Sequence, residues 1–234
     1  MHVSLMDSSV NDPLDDFAYP DVPKKPERTG GNKDLLAFFL RHFRPGRIGL
    51  VGTDDFIGEA IREAQRTLTL DGRDSKWSHA FLMGERRVDG NFYIFESDLE
   101  PDFERPQVKN GAQESPLAKW TVEEVKYAAV LDMGIEDDAI PALLSTALTF
   151  VHEREIAYSI SQLVGTWLQI IRAQIWRPNP FEDMKALYCS SFVRYCNQSI
   201  GRDIVGQDIH LSNTAPEHLW QSSSIVDRQR WTAE

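Results

Sequence analysis

Apolar residues along the chain fall into two patterns, short continuous runs and stretches at helical spacing. Leu35 to Phe43 carries one apolar face and stops before Pro45-Gly46, so a short amphipathic helix is expected. Arg47-Ile48-Gly49-Leu50-Val51-Gly52 reads as a short buried strand. Phe56 to Leu68 places Ile57, Ala60, Ile61 and Ala64 in helical register, with Asp54 or Asp55 as its cap. Asp71-Gly72-Arg73-Asp74 is a turn. Ser78 to Gly84 and Asn91 to Ser97 are two strands of a hairpin turned at Asp89-Gly90. Residues 100 to 118, with Pro101, Pro106, Gly111 and Pro116, read as loop, and Val125 to Met133 as a further strand. Asp137 to Val151 predicts a helix with Ile140, Leu143, Leu144, Ala147 and Leu148 on one face. Ile160 to Trp176, with Leu163, Trp167, Ile170 and Ile171, predicts a second and more apolar one. Asn213 to Trp220 resembles a surface turn into a short helix.

One further stretch organises the rest. Leu187, Phe192, Val193 and Cys196 form an apolar stripe at helical spacing, after a loop whose Pro178, Asn179 and Pro180 stop the preceding helix and before Gly201, which closes the new one. Cys189 therefore stands near a helix start, where unpaired N–H groups and the helix dipole favour a thiolate and would also stabilise an oxyanion. A small buried cysteine on a core helix fits the same stretch equally well.

The pattern yields an α+β class: a central antiparallel sheet packed against the helix that carries Cys189. Residues 1–33, rich in Asp, Pro, Ser and Lys, read as a flexible or surface-wrapped leader. Residues 34–234 read as one domain, and 136–176 as a helical insertion that forms a cap, lines a cleft or completes the core. No apolar run approaches the roughly eighteen residues of a transmembrane helix, so stable membrane insertion is not expected. The first residues lack a basic region followed by an apolar core, so a cytoplasmic site of synthesis is expected, with any export by a route that reads no such signal. The formal net charge of −11 argues against nucleic acid and anionic membranes as partners, and mildly against electrostatic docking on anionic wall polymers. The only cysteines, Cys189 and Cys196, lie about 10 Å apart along one helix, too far for a disulfide. Two thiols without a CxxC pair give no zinc pattern, so neither a metal nor another cofactor is expected.

A thiol nucleophile needs a base within hydrogen-bond reach, and the base needs an orienting partner. His79 and Glu96, on neighbouring antiparallel strands, are the best candidates for these roles beside Cys189. His2 lies in the leader and His42 beside Arg41 and Arg44. His152 belongs to a charged, solvated face, and His210 and His218 to the tail loops.

The order of these motifs resembles the circularly permuted NlpC-type papain-like proteins, the YiiX-like group, to which the lecithin retinol acyltransferases are related. In that group the histidine precedes the cysteine. The match runs through Gly46 and Ile48, Ser78 and His79, Ile94 and Glu96, and Tyr188, Cys189, Ser190 and Val193, and spans residues 45 to 220. Thr214 to Leu219 is similar to the Pro-x-Asp-Leu turn near the end of such domains. Arg47 stands where Asp is usual, Phe95 separates Ile94 from Glu96, and Ser191 replaces a Glu.

The resemblance implies Cys189 as nucleophile, His79 as general base and then acid, and Glu96 as the group that orients the imidazole. Asp98 is the alternative third member, because a one-residue slip turns a strand side chain to the other face. The Cys189 backbone N–H is the expected oxyanion donor. Tyr188, Ser78, Asp54 and Ser75 are cleft candidates that fit capping, turn or packing roles at least as well. Cys196 belongs to the core. The activity implied is thiolate attack on an amide, most simply a peptidoglycan stem peptide. An antibacterial effector exported by a specialised machine would also imply an immunity protein as partner. The alternatives are a thiol acyltransferase or hydrolase acting on a lipid ester or a protein side-chain amide, and a non-catalytic binding scaffold.

Overall fold

The computed structural model describes residues 32–98, 111–153 and 189–233. In chain order the elements are α1 (Lys33–His42), β1 (Ile48–Thr53), α2 (Phe56–Ala64), β2 (His79–Arg86), β3 (Phe92–Asp98), β4 (Gly111–Pro116), β5 (Val125–Asp132), α3 (Ile140–Glu153), α4 (Cys189–Ser199), α5 (Pro216–Trp220) and β6 (Asp227–Thr232). They form the expected α+β arrangement around a six-stranded antiparallel sheet of order β4-β3-β2-β1-β5-β6.

β1 is buried along its whole length, so it sits mid-sheet between β2 and β5 with both faces covered. Gly49 is required there, since a Cβ would lie 2.0 Å from the Phe81 ring. One face of the sheet presents Ile48, Leu50, Leu82, Phe95 and Leu131 to Leu143, Ala147 and Phe150 of α3 and to Phe192, Val193 and Cys196 of α4. The other presents Val51, Phe81, Met83, Ile94 and Val130 to Leu35, Phe38 and Phe39 of α1 and to Leu117. The alternation is the period of two that a strand imposes. The helix expected over 137–151 thus completes the core on the α4 side.

Local signals account for the boundaries. Asn32 caps α1 by accepting from the Asp34 and Leu35 N–H groups. Asp55, rather than Asp54, caps α2 through the Ile57 and Gly58 N–H groups. Gly201, at φ 77°, ends α4 in a Schellman motif, with Gly201 N donating to Gln198 O and Arg202 N to Asn197 O.

Three expectations are corrected. Within the segment read as loop, Gly111–Pro116 is a strand that pairs with β3, and Leu117–Trp120 is a 3-10 turn. The C-terminal residues Asp227–Thr232 form a sixth strand on β5 that the residue pattern did not predict. The Asn213 to Leu219 segment is buried rather than superficial, although its short helix is where it was expected. The leader, the helix expected over 160–176, Leu187 and Tyr188 lie outside the described residues.

Candidate active site

Three segments converge on His79. It opens β2, and the residues before it are strapped in place. Ser78 N donates to Val51 O at 2.8 Å, and Ser78 Oγ accepts from the Thr53 N–H at 3.1 Å. Ser75 Oγ donates to Glu217 Oε2 at 2.6 Å and accepts from the Trp77 N–H. Gln65 Nε2 donates to Trp77 O, while its Oε1 accepts from the Glu217 N–H. Ser75 and Ser78 therefore fix the chain that delivers His79. Asp54 is half-exposed and pairs with Lys126 Nζ at 3.2 Å, so its contact is with a surface lysine.

By strand alternation His79 lies on the α1 face with Phe81, and Glu96 lies on it with Ile94. Extending the Phe81–Glu96 pairing would set Asp98 opposite His79 and leave Glu96 on the diagonal. The ring takes the diagonal partner: His79 Nε2 is 3.0 Å from Glu96 Oε2. Asp98 instead lies 2.5 Å from Lys119 Nζ. Phe95 turns to the opposite core, so its insertion between Ile94 and Glu96 leaves both on the histidine face.

Glu96 is fully buried, and each oxygen is held. Lys119 Nζ donates to Oε1 at 2.8 Å and Gln113 Nε2 at 3.3 Å, while Trp120 Nε1 donates to Oε2 at 2.7 Å. Burial works against the carboxylate charge, but the His79 hydrogen bond and the Lys119 ammonium overcome it and hold Glu96 well below the usual carboxylate range. Burial likewise disfavours charge on Lys119, and Glu96 and Asp98 outweigh it and raise the ammonium above its ordinary value. The Trp120 ring also stacks on the His79 imidazole, with centroids 4.4 Å apart and planes at 27°. Trp120 thus fixes both members of the pair.

Cys189, the first described residue of α4, is nearly buried, as is His79. Burial lowers the imidazole pKa, but the Cys189 sulfur, through its charge and a hydrogen bond, together with Glu96 and Asp98, raises it to about 10. With Nε2 taken by Glu96, Nδ1 is the nitrogen left for the sulfur. The His79 imidazole thus stands between the Cys189 sulfur and a buried carboxylate. Cys196, seven residues on, is enclosed by the core, which pushes its thiol far up.

Behind Cys189 the helix is anchored to the following loop. Ser190 Oγ donates to Thr214 O at 2.6 Å and Ser191 Oγ to Leu211 O at 2.8 Å. Ser191 thereby has a structural role where the resembled pattern has a glutamate. His218 Nδ1 accepts from the Ala215 N–H, and burial and the charge of Arg194 lower its pKa to about 4. Arg47 pairs with Asp132 Oδ2 at 2.7 Å at the opposite end of β1, beside a cavity of about 180 Å³ that Arg44 and Ile140 help to line. That cavity is remote from His79, which pairs with Val51 near the other end of the strand.

The structure therefore brings together Cys189, His79 and Glu96, places Asp98 behind Lys119, and sets Asp54 apart. Lys119, Trp120 and Gln113 were not anticipated from the sequence. The available signal was a Lys-Trp pair directly after Leu117, hidden inside a segment read as loop. Among the described residues, no group of three or more His, Cys, Asp and Glu side chains could hold a metal ion. The place between the Glu96 and Asp98 carboxylates is filled by the Lys119 ammonium.

No protein-family model matches the sequence, and no curated protein matches it. Among solved structures the chain is similar to the metalloprotein yiiX from Escherichia coli O157:H7. The two are 16% identical with a TM-score of 0.51 over 82% of this chain and 98% of that one. At that identity the likeness is one of fold.

Proposed function

We propose that the chain is a cysteine hydrolase of the permuted papain-like kind, with Cys189 as nucleophile, His79 as base and acid, and Glu96 as the group that orients the imidazole. One observation carries the reading. His79 is held between the Cys189 sulfur and a buried carboxylate, with its pKa raised to about 10. A thiol with an oriented base is the constellation that nucleophilic acyl transfer requires.

The steps balance within these residues. The sulfur, as thiolate, attacks the substrate carbonyl carbon, and the C–S bond forms as the carbonyl π pair moves to oxygen. The Cys189 backbone N–H donates to that oxyanion. The His79 imidazolium gives its proton to the leaving amine as the C–N bond breaks, which leaves a thioester and a neutral imidazole. Water then attacks the thioester and passes a proton to His79, the C–S bond breaks, and the carboxylic product leaves with the thiolate–imidazolium pair restored. Glu96 stays ionised throughout and keeps Nδ1 aimed at the sulfur.

The neighbour in fold is called a metalloprotein. The donors present here do not suit a metal centre, because Lys119 engages both carboxylates and Glu96 engages His79 Nε2. The steps above accordingly use the chain's own groups.

The substrate class proposed is an amide of a peptidoglycan stem peptide, on the resemblance of the ordered His, Glu and Cys motifs to NlpC-type proteins. Purified peptidoglycan digested with the wild-type chain and with Cys189→Ala, followed by mass spectrometry of released fragments, tests it. A fragment with a new amine, seen with wild type alone, is expected. Intact folded protein that releases nothing would contradict the substrate class.

A further inference from the structure

Lys119 is a mostly buried cation placed between two carboxylates on one face of β3. Its Nζ lies 2.8 Å from Glu96 Oε1 and 2.5 Å from Asp98 Oδ2, and its side chain is 16% exposed. Glu96 faces His79 from β2, Gln113 from β4, Lys119 and Trp120 from the turn after β4, and Asp98 on its own strand, with Cys189 of α4 beyond the imidazole. Gln113 and Trp120 donate hydrogen bonds but carry no charge. Lys119 is the cation that separates the two acids. Without it, Glu96 would keep His79 as a partner but would face Asp98 as a like charge on the same strand face, and its carboxylate would ionise less readily. A proton on Glu96 would cost His79 the anion that stabilises its imidazolium.

We infer that Lys119 is a positioning residue that keeps Glu96 ionised by separating it from Asp98, and that it thereby sets the acid limit of the Cys189–His79 pair. The consequence for the pair rests on the catalytic reading above, whereas the ionisation of Glu96 does not. One feature supports the inference: two of the contacts that Lys119 Nζ makes go to carboxylates that would otherwise repel each other.

The experiment is a carbon-13 NMR titration of the Glu96 carboxyl between pH 4 and 8 in the full chain. It is run on wild type, Lys119→Met, Lys119→Gln and the double variant Asp98→Asn/Lys119→Met, and paired with iodoacetamide alkylation of Cys189 at pH 5.5 and 8. In wild type Glu96 should stay ionised across the range. In both single variants its titration should move up into the range, since a close opposite charge is lost and a like charge stays beside it. The double variant should bring it back down, since the repelling charge is gone too. Cys189 alkylation in the single variants should fall about tenfold at pH 5.5 and far less at pH 8, as a one-unit change in the acid limit requires. Lys119→Arg should retain the wild-type profile.

Glu96 remaining ionised in Lys119→Met and Lys119→Gln would overturn the inference, as would a double variant that titrates like Lys119→Met. A loss of alkylation equal at both pH values would mark Lys119 as merely structural and overturn it as well. Lys119→Gln keeps a hydrogen-bond donor and reads the same quantity if the Met variant does not fold. A wild-type Cys189 no more reactive than a free thiol would contradict the hydrolase reading alone, because the Glu96 titration is read without the thiol.

Discussion

Two buried charged clusters meet α4, one at Cys189 and one about one and a half turns along at Arg194. Arg194 is 2% exposed and its donors are spent. Nε and Nη2 each donate to Asp203 at 2.8 Å, Nη1 to Ile209 O and Thr214 Oγ1, and Nη2 also to Gly206 O. A guanidinium does not give up its proton, so the central group of this cluster keeps one charge state and ties α4 to the loop behind it. The His79 cluster is as deeply buried and as well bonded. Its ring, however, has one nitrogen on a carboxylate and the other facing a sulfur, and a proton can move at each. Burial and charge are common to both. What separates a clamp from a site is whether the central group can exchange a proton with something that reacts.

The comparison can be broken from either side, beginning with the clamp. Arg194→Met leaves Asp203 and several carbonyls without their cation and should cost about 3–5 kcal/mol in urea unfolding. The pH dependence of Cys189 alkylation in the folded fraction should stay as in wild type. His79→Ala should slow Cys189 alkylation in the folded fraction at neutral pH about a hundredfold, the usual scale of a lost general base. Glu96→Gln keeps the shape and removes the charge, so alkylation should fall by roughly thirtyfold, or about 2 kcal/mol for a hydrogen bond to a charged group.

The two clusters should also part in the pH dependence of stability. The folded-state pKa of His79, about 10, lies above its ordinary 6.5, so its contribution is complete below pH 6.5 and is lost as pH rises toward 10. Thermal unfolding between pH 6.5 and 10 should show that loss, at most about 1.4 kcal/mol per pH unit for one proton, and His79→Ala should flatten it. Asp203 is held below its ordinary value, first by its Arg194 hydrogen bond, so the stability from that cluster is present above about pH 4 and is lost only in acid. Trp120→Phe keeps a ring over His79 and removes the Nε1 donor. Its effect on Cys189 alkylation should be the smallest, about fivefold for one hydrogen bond near 1 kcal/mol.

The elements that build the core were legible in the sequence because burial on a sheet face or helix stripe demands a periodic apolar pattern. β1, β2, β3 and β5 announced themselves in this way, and the Asp89-Gly90 turn appeared with Gly90 at φ 84°. β4 and β6 are edge strands with mostly half-exposed or exposed side chains, and such strands need no apolar alternation. Missing β4 also hid Gln113, and with it the turn that carries Lys119 and Trp120. The choice between Glu96 and Asp98 could not come from periodicity, because residues two apart share a strand face. It came from the diagonal reach of His79 and the position of Lys119, both of which are tertiary. The ordering of His79 before Cys189 was legible, and so was Glu96 beside the imidazole, but the Lys119, Trp120 and Gln113 donors that hold Glu96 were not.

The most direct measurement is the alkylation of Cys189 and Cys196 by iodoacetamide in the folded chain at pH 7, resolved by peptide mass spectrometry and repeated in His79→Ala. An imidazolium held beside the Cys189 sulfur requires Cys189 to react faster than a free cysteine, Cys196 to stay unlabelled until the chain unfolds, and the Cys189 advantage to vanish without His79. A Cys189 that reacts no faster than a free cysteine, or at the same rate with and without His79, would contradict it.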